Sequence, residues 1–352
     1  MKTSPYETEA LETCLRAFSD LVASQDEIQR AQLGDDWAWQ YSGGKSNFHL
    51  VVSVMIHGDE VGPLEGLLDV MEAIQSGKLQ YDGLITCVVG NPEAGRRVKR
   101  FIDVDLNRVF DSELRARQPE ELHYEEARAQ SLMRLFDQCD LLIDFHQTIL
   151  DSAQPFYICP WSEETWRWMR LMGGAKVWVT RHPHRGGGGL LCADEYVRQR
   201  GKPAVALELG ALGFTSKARA GVWKSLSRAI KAINEISQKT ATLSELANAE
   251  PDLKFYETSY RARFDNPLLT LKEGLVNFTE VQCEERLSPL GSDLDHLPDI
   301  SAPQSGVILF PKYPPRDEGG EVIEPRPREL YRIISPLSSH PLELWTDKST
   351  DQ

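Results

Sequence analysis

A hydrophobic run from His49 to Ile56 leads directly into Ile56-His57-Gly58-Asp59-Glu60-Val61-Gly62-Pro63. An imidazole and a carboxylate three residues apart, at the lip of a buried strand, can share one zinc ion. Gly58 and Gly62 are read as letting the backbone bend sharply between them. The spacing alone is a loose pattern, because His123-Tyr124-Glu125-Glu126 repeats it. No strand precedes that second copy and its surroundings are charged, so it reads as a solvated helix face. A third ligand is offered by Leu141-Leu142-Ile143-Asp144-Phe145-His146, another apolar run, here ending on a histidine. Two histidines and one glutamate leave one position of a tetrahedral zinc open to water, which is the pattern of catalytic rather than structural sites. Asp144 lies two residues before His146 and shares its face. It is read either as a partner that orients the imidazole or as an ordinary buried polar residue near a strand end.

Such a centre needs a proton shuttle. Ala204-Val205-Ala206-Leu207-Glu208-Leu209-Gly210 sets a single carboxylate inside an apolar strand, where an unpaired charge is costly. Glu208 is therefore the candidate general base and acid, with a pKa raised toward neutrality; the alternative is a structural ion pair. Between the strands, residues 91–108 read NPEAGRRVKRFIDVDLNR and carry Arg96, Arg97, Lys99, Arg100 and Arg108. A basic cluster after a strand suggests a pocket for an anionic substrate, because guanidinium groups grip carboxylates with two parallel hydrogen bonds. A solvated loop paired with Asp103 and Asp105 would look the same. Asp105-Leu106-Asn107-Arg108 is the part expected to serve the site.

The elements that must carry these residues follow from periodicity. Leu11, Leu15, Phe18 and Leu21 predict an amphipathic helix over 7–24. Strands are expected at 49–56, 84–89, 141–145, 155–159, 176–180 and 204–209, and helices at 63–76 and 120–138. Pro63 suits a first helical turn. Val222, Leu226, Ile230, Ile233 and Ile236 form one face of a further helix. The alternation predicts an α/β fold with a mostly parallel mixed sheet flanked by helices, and ligand sites of such sheets lie beyond the carboxyl ends of the strands. Residues 237–252 are polar and without clear period, and are read as a linker. Short β-like pieces at 256–264, 275–282, 306–310 and 330–334, with prolines crowding 298–327, predict a small β-rich C-terminal domain. The expected division is a catalytic domain over 1–240 and the β-rich domain over 253–352.

Composition narrows the function classes. The 352 residues carry 39 basic and 53 acidic side chains, a net charge of −14. A chain this acidic is a poor binder of nucleic acid or anionic membranes. No apolar run approaches a membrane span, and no apolar leader follows Met1, so a cytoplasmic protein is expected. The six cysteines form no CxxC pair and are read as reduced thiols.

Taken together, HGDE at 57–60, NPEA…KRFIDVDLNR at 91–108, DFH at 144–146 and ELG at 208–210 resemble the succinylglutamate desuccinylase/aspartoacylase family, a branch of the zinc carboxypeptidase-like hydrolases. The resemblance covers about residues 45–215. It implies one zinc per chain on His57, Glu60 and His146, and Glu208 as general base and acid. It also implies that Arg100 helps hold the oxyanion, that Asn107 and Arg108 hold the carboxylate of the leaving amino acid, and that Arg198 grips the carboxylate of the acyl group. The implied activity is hydrolysis of a small anionic N-acyl amino acid. N-succinylglutamate, cleaved to succinate and glutamate in arginine catabolism, leads. N-acetylaspartate, another N-acyl amino acid or a peptide is the alternative, and a non-catalytic zinc-stabilised binding protein is the rival from another class. Gln147-Thr148 after the histidine departs from the Thr-Ala more common among desuccinylases. So does His182-Pro183-His184-Arg185 with the glycines at 186–189. That run lacks the lysine of a phosphate loop and is read as a flexible cover over the site. His182 and His184 are considered as a second metal site.

Overall fold

The computed structural model describes residues 6–182, 192–290, 298–323 and 326–345. Its strands, in chain order, are β1 (Ala38–Ser42), β2 (His49–Val54), β3 (Leu84–Val89), β4 (Leu141–Thr148), β5 (Phe156–Ile158), β6 (Val177–Thr180), β7 (Ala204–Ala211), β8 (Lys254–Arg263), β9 (Glu280–Val281), β10 (Gly306–Leu309) and β11 (Glu329–Pro336). The helices are α1 (Thr8–Ala23), α2 (Glu27–Leu33), α3 (Pro63–Gln75), α4 (Pro92–Arg96), α5 (Tyr124–Phe136), α6 (Glu163–Met172), α7 (Ala193–Arg198), α8 (Ser216–Ser237), α9 (Leu243–Asn248) and α10 (Pro341–Leu344). All strands join one sheet in the order β1-β3-β2-β4-β7-β5-β6-β8-β11-β10-β9. The run β3-β2-β4-β7 is parallel, as are β5-β6 and β6-β8, whereas β1, the β7–β5 junction and the C-terminal strands pair antiparallel.

Strand alternation explains the layers. Leu50, Val52 and Val54 of β2 point to the face covered by α1, α3, α6 and α8, and Val51 points to the face covered by α5 and α7. Both faces are covered, so β2 and β4 are buried along their full length and read as nearly continuous apolar runs. On β4 and β7 the alternate set, Leu142 and Ala204, faces α5 and α7. Asp144, His146 and Glu208 follow on that same face by their even spacing.

Several sequence expectations are corrected. His146 does not end its strand: β4 continues to Thr148, with a register shift against β7 between His146 and Thr148. His57 does not end its strand either, since β2 stops at Val54. The 120–138 helix begins at Tyr124, after a 3-10 turn at Pro119–Glu121. The 275–282 piece contributes only Glu280 and Val281 to the sheet. The stretch read as a linker contains α9, opened by a Thr242/Glu245 capping box. Ala247 of that helix is buried in the main core, and Arg228 pairs with Glu250 at 2.5 Å. Its short amphipathic turn gave too few residues for a period to register. The C-terminal strands hold a hydrophobic cluster of their own around Phe264, Leu287 and Ile333, yet they extend the same sheet through β8 on β6.

Candidate functional site

Parallel pairing of β2, β4 and β7 brings their carboxyl ends to one edge. After β2 the chain turns at Met55, whose φ of 55° lies in the left-handed region. For a buried, bulky residue this is a strained conformation that only its surroundings can maintain. The chain bends again at Gly58 and Asp59, as expected from the sequence, where the Glu60 N–H meets the His57 carbonyl at 3.2 Å. The two glycines also answer to space. A Cβ on Gly58 would lie 2.4 Å from the Gly95 nitrogen, and one on Gly62 2.4 Å from the Gly213 oxygen. A side chain at either place would collide with backbone, so only glycine fits.

His57, Glu60 and His146 meet there, all buried, with ligating atoms within 4.8 Å of one another. Nδ1 of His57 is 2.7 Å from Glu60 Oε1, and Nδ1 of His146 is 2.8 Å from Glu60 Oε2. The opposite nitrogens are anchored by carboxylates. His146 Nε2 lies 2.7 Å from Asp144 Oδ2, and His57 Nε2 lies 3.3 Å from Asp105 Oδ1. Asp144 is itself held by the Ser53 hydroxyl at 2.7 Å. A carboxylate on Nε2 fixes the tautomer with its proton there and frees the Nδ1 lone pair for a metal. Arg100 also approaches His57 Nε2, at 2.6 Å, and donates to Glu60 Oε1 at 3.1 Å. One ring nitrogen cannot both give a proton to Asp105 and accept one from Arg100. The metal-competent tautomer is the one that donates to Asp105.

The electrostatics follow from burial and these pairs. Burial opposes charging of the imidazoles, but Asp144 and Glu60 raise the pKa of His146 well above its ordinary value, and Glu60 and Asp105 raise that of His57. Against its own burial, Glu60 is held well below the usual carboxylate range by both histidines. Asp105 is likewise held down by His57 and Arg100.

Glu208 sits on β7 in register with His146 of β4 and with Phe156 of β5. Its Oε2 is buried and has no hydrogen-bond partner among the described residues. Burial pushes its pKa up to about 7. Among the described residues it makes no structural ion pair of the kind considered from the sequence.

The 91–108 segment divides in two. Arg96 pairs with Glu12 and stacks over Trp37, and Arg97 pairs with Glu93, so both belong to the outer surface. Arg100 turns inward. Asn107 is buried and its Oδ1 accepts from the Ala193 backbone at 2.9 Å, which ties the start of α7 to the site loop. Arg108 is exposed and donates to the Asn107 carbonyl at 2.6 Å. Arg198, on α7, places its guanidinium on Glu195 through Nε at 3.1 Å and Nη2 at 2.5 Å. The His123/Glu126 copy is a helix cap in which Glu126 accepts from the His123 backbone and pairs with Arg117. His184 and the glycines at 186–189 lie outside the described residues.

Three residues of this site escaped the sequence reading as organisers. Asp105 was noted only as part of the basic segment. Gln147, noted as a departure, receives the Gly62 N–H at 2.8 Å and donates to the Ala211 and Gly213 carbonyls, so it laces the ends of β4 and β7 to the start of α3. Glu125, in the helix set aside as solvated, is completely buried. Its Oε1 accepts from Ile102 N and Asn91 Nδ2, and its Oε2 from Asp103 N and Val104 N. These bonds set the path of the loop between Arg100 and Asp105. Their only sequence signal was a Glu next to the decoy. Glu125→Gln, nearly isosteric, turns an amide toward backbone donors on one side. Leaving buried donors unmet costs roughly 1–3 kcal/mol each. Urea unfolding is expected to show a loss of that size, and an unchanged midpoint would remove Glu125 from this role.

The comparisons with known proteins agree with this architecture. A family model described as the succinylglutamate desuccinylase/aspartoacylase catalytic domain matches residues 47–235. A succinylglutamate desuccinylase of Pseudomonas aeruginosa is 28% identical over 291 residues, which is 77% of this chain and 81% of that protein. The enzyme of the same name from Pseudomonas paraeruginosa is 34% identical over 122 residues, 32% of this chain and 36% of that protein. The solved succinylglutamate desuccinylase of Vibrio parahaemolyticus superposes with a TM-score of 0.61 at 17% identity, covering 87% of each chain, and so shows the shared fold. No helix among the described residues is long and apolar enough to cross a membrane.

Proposed function

This chain belongs to the succinylglutamate desuccinylase/aspartoacylase family, and from that premise we propose that it is a zinc-dependent amidohydrolase of N-acylated acidic amino acids. N-succinylglutamate, split into succinate and glutamate, is the leading substrate. The observation that carries the reading is Glu208: a buried carboxylate with an oxygen unpartnered among the described residues, one strand away from a buried His-Glu-His cluster. A binding protein stabilised by a metal needs no such group.

The donor set fits zinc, since two imidazoles with carboxylate-anchored far nitrogens and one carboxylate leave a coordination position free. When bound by His57, Glu60 and His146, zinc supplies Lewis-acid polarisation of the amide carbonyl and of water. Glu208 removes a proton from the attacking water and returns it to the departing amine nitrogen; its raised pKa suits both halves of that transfer. Arg100, 2.6 Å from His57 Nε2 and 3.1 Å from Glu60 Oε1, stabilises the negative charge that develops on the carbonyl oxygen. Asn107 and Arg108 hold the carboxylate of the leaving amino acid. Arg198, the residue that the resemblance assigns to the acyl carboxylate, must leave Glu195 to reach one.

Metal analysis with a mass-spectrometric screen of N-succinyl and N-acetyl amino acids tests the reading. One zinc per chain and release of glutamate from N-succinylglutamate are expected. Preference for N-acetylaspartate would change the substrate and keep the chemistry. Zinc-loaded protein that cleaves none of them would overturn the function.

A further inference from the structure

Arg332 on β11 stands directly opposite Arg261 on β8 in the antiparallel register. Like charges at such a position repel and destabilise a sheet. Arg261 has no hydrogen-bond or ion-pair partner among the described residues, and it also lies in the field of Arg181, which follows β6. Arg332 packs over the Phe310 ring and is held by Glu329 at 2.8 Å. Lys312, placed by its N–H on the Leu330 carbonyl at 2.9 Å, stands 4.0 Å from that same Glu329. Its ammonium is partly buried and feels the charges of Arg332, Arg100 and Arg108. Phe310, under Arg332, has its ring 5.8 Å from that of Phe156, which stands opposite Glu208, so Arg181, Arg261, Lys312 and Arg332 extend from beside the catalytic strand across the C-terminal strands. Glu195, shared with Arg198, lies 3.4 Å from Arg181, which leaves Glu329 alone, among the described residues, to answer Arg261, Lys312 and Arg332. In a chain of net charge −14 such an excess invites an anion, and guanidinium forks match a carboxylate.

Resting on the function proposed above, we propose that Arg261, Arg332 and Lys312 receive the far carboxylate of a dicarboxylic acyl group, so that the C-terminal strands, and not Arg198, select the acyl end.

The test compares Arg261→Gln, Lys312→Gln and Arg198→Ala by kcat/KM on N-succinylglutamate and N-acetylglutamate, and by calorimetric binding of succinate and butyrate to zinc-loaded protein. Loss of a charged contact should lower the succinyl-to-acetyl ratio about 10- to 100-fold in each of the first two variants. Arg198→Ala should move that ratio less than either. Arg261→Gln should also melt no lower than wild type, because it removes a repulsion; a purely structural arginine would melt lower. An unchanged ratio in both C-terminal variants, or a drop confined to Arg198→Ala, overturns the inference. If the wild type cleaves no N-acyl amino acid, the function fails, and the anion site is then judged on binding alone. Tighter binding of succinate than butyrate that disappears in Arg261→Gln sustains it, and equal binding overturns it.

Discussion

His57→Ala and His146→Ala proteins, purified without added metal, are expected to contain little zinc and to lose activity together with it. Each removes one of three donors that lie within 4.8 Å of one another. The partners behind them grade the effect. Asp144→Asn and Asp105→Asn keep every ligand but loosen the tautomer, which should weaken zinc binding by roughly 10–100-fold, as loss of an outer partner typically does. The ligand deletions must exceed that. Acidity should act in the same direction. The neighbouring carboxylates favour the protonated imidazoles, raising both above the ordinary 6.5. Protons therefore compete with the metal from a higher pH than usual, and zinc affinity is expected to rise with pH across the neutral range. Retention of a full zinc equivalent in both histidine variants would sink the assignment.

Glu208→Gln should keep fold and zinc while turnover falls about 10²–10⁴-fold, the range of general acid–base contributions. The amide occupies the same volume in β7, and Oε2 has no partner among the described residues to lose. What disappears is the capacity to accept the proton. The wild-type pH profile carries the complementary signature. The base must be ionised, burial raises its pKa to about 7, and the rate should therefore climb with pH through an acidic limb above the ordinary 4.5 of glutamate. Turnover within a few-fold of wild type in the amide variant would take Glu208 out of the reaction.

The reach of the sequence can be judged residue by residue. Continuous apolar runs such as Leu50–Val54 and Leu141–Ile143 determined that these strands are buried on both faces and so belong to a covered, parallel sheet. A histidine, a glutamate and a second histidine beside such runs, and a lone glutamate inside a third, were legible because polar groups in apolar strands are expensive without a function. Local chemistry could say which residues were unusual. It could not say which would meet. That His146 and Glu208 are opposite depends on the β4–β7 register, which is set by backbone pairing over many residues. That Asp105 backs His57 depends on a loop whose path is held by Glu125, twenty residues further on. The turn at Met55, a residue with no preference for positive φ, has no local signal because packing imposes it. The same holds for the basic residues. Their types were visible throughout, but Arg96 and Arg97 went to the surface and Arg198 to Glu195, while Arg261 and Arg332 were brought face to face by strands about seventy residues apart. Register and loop path are sums of many weak, distant contacts, and only the folded chain decides them.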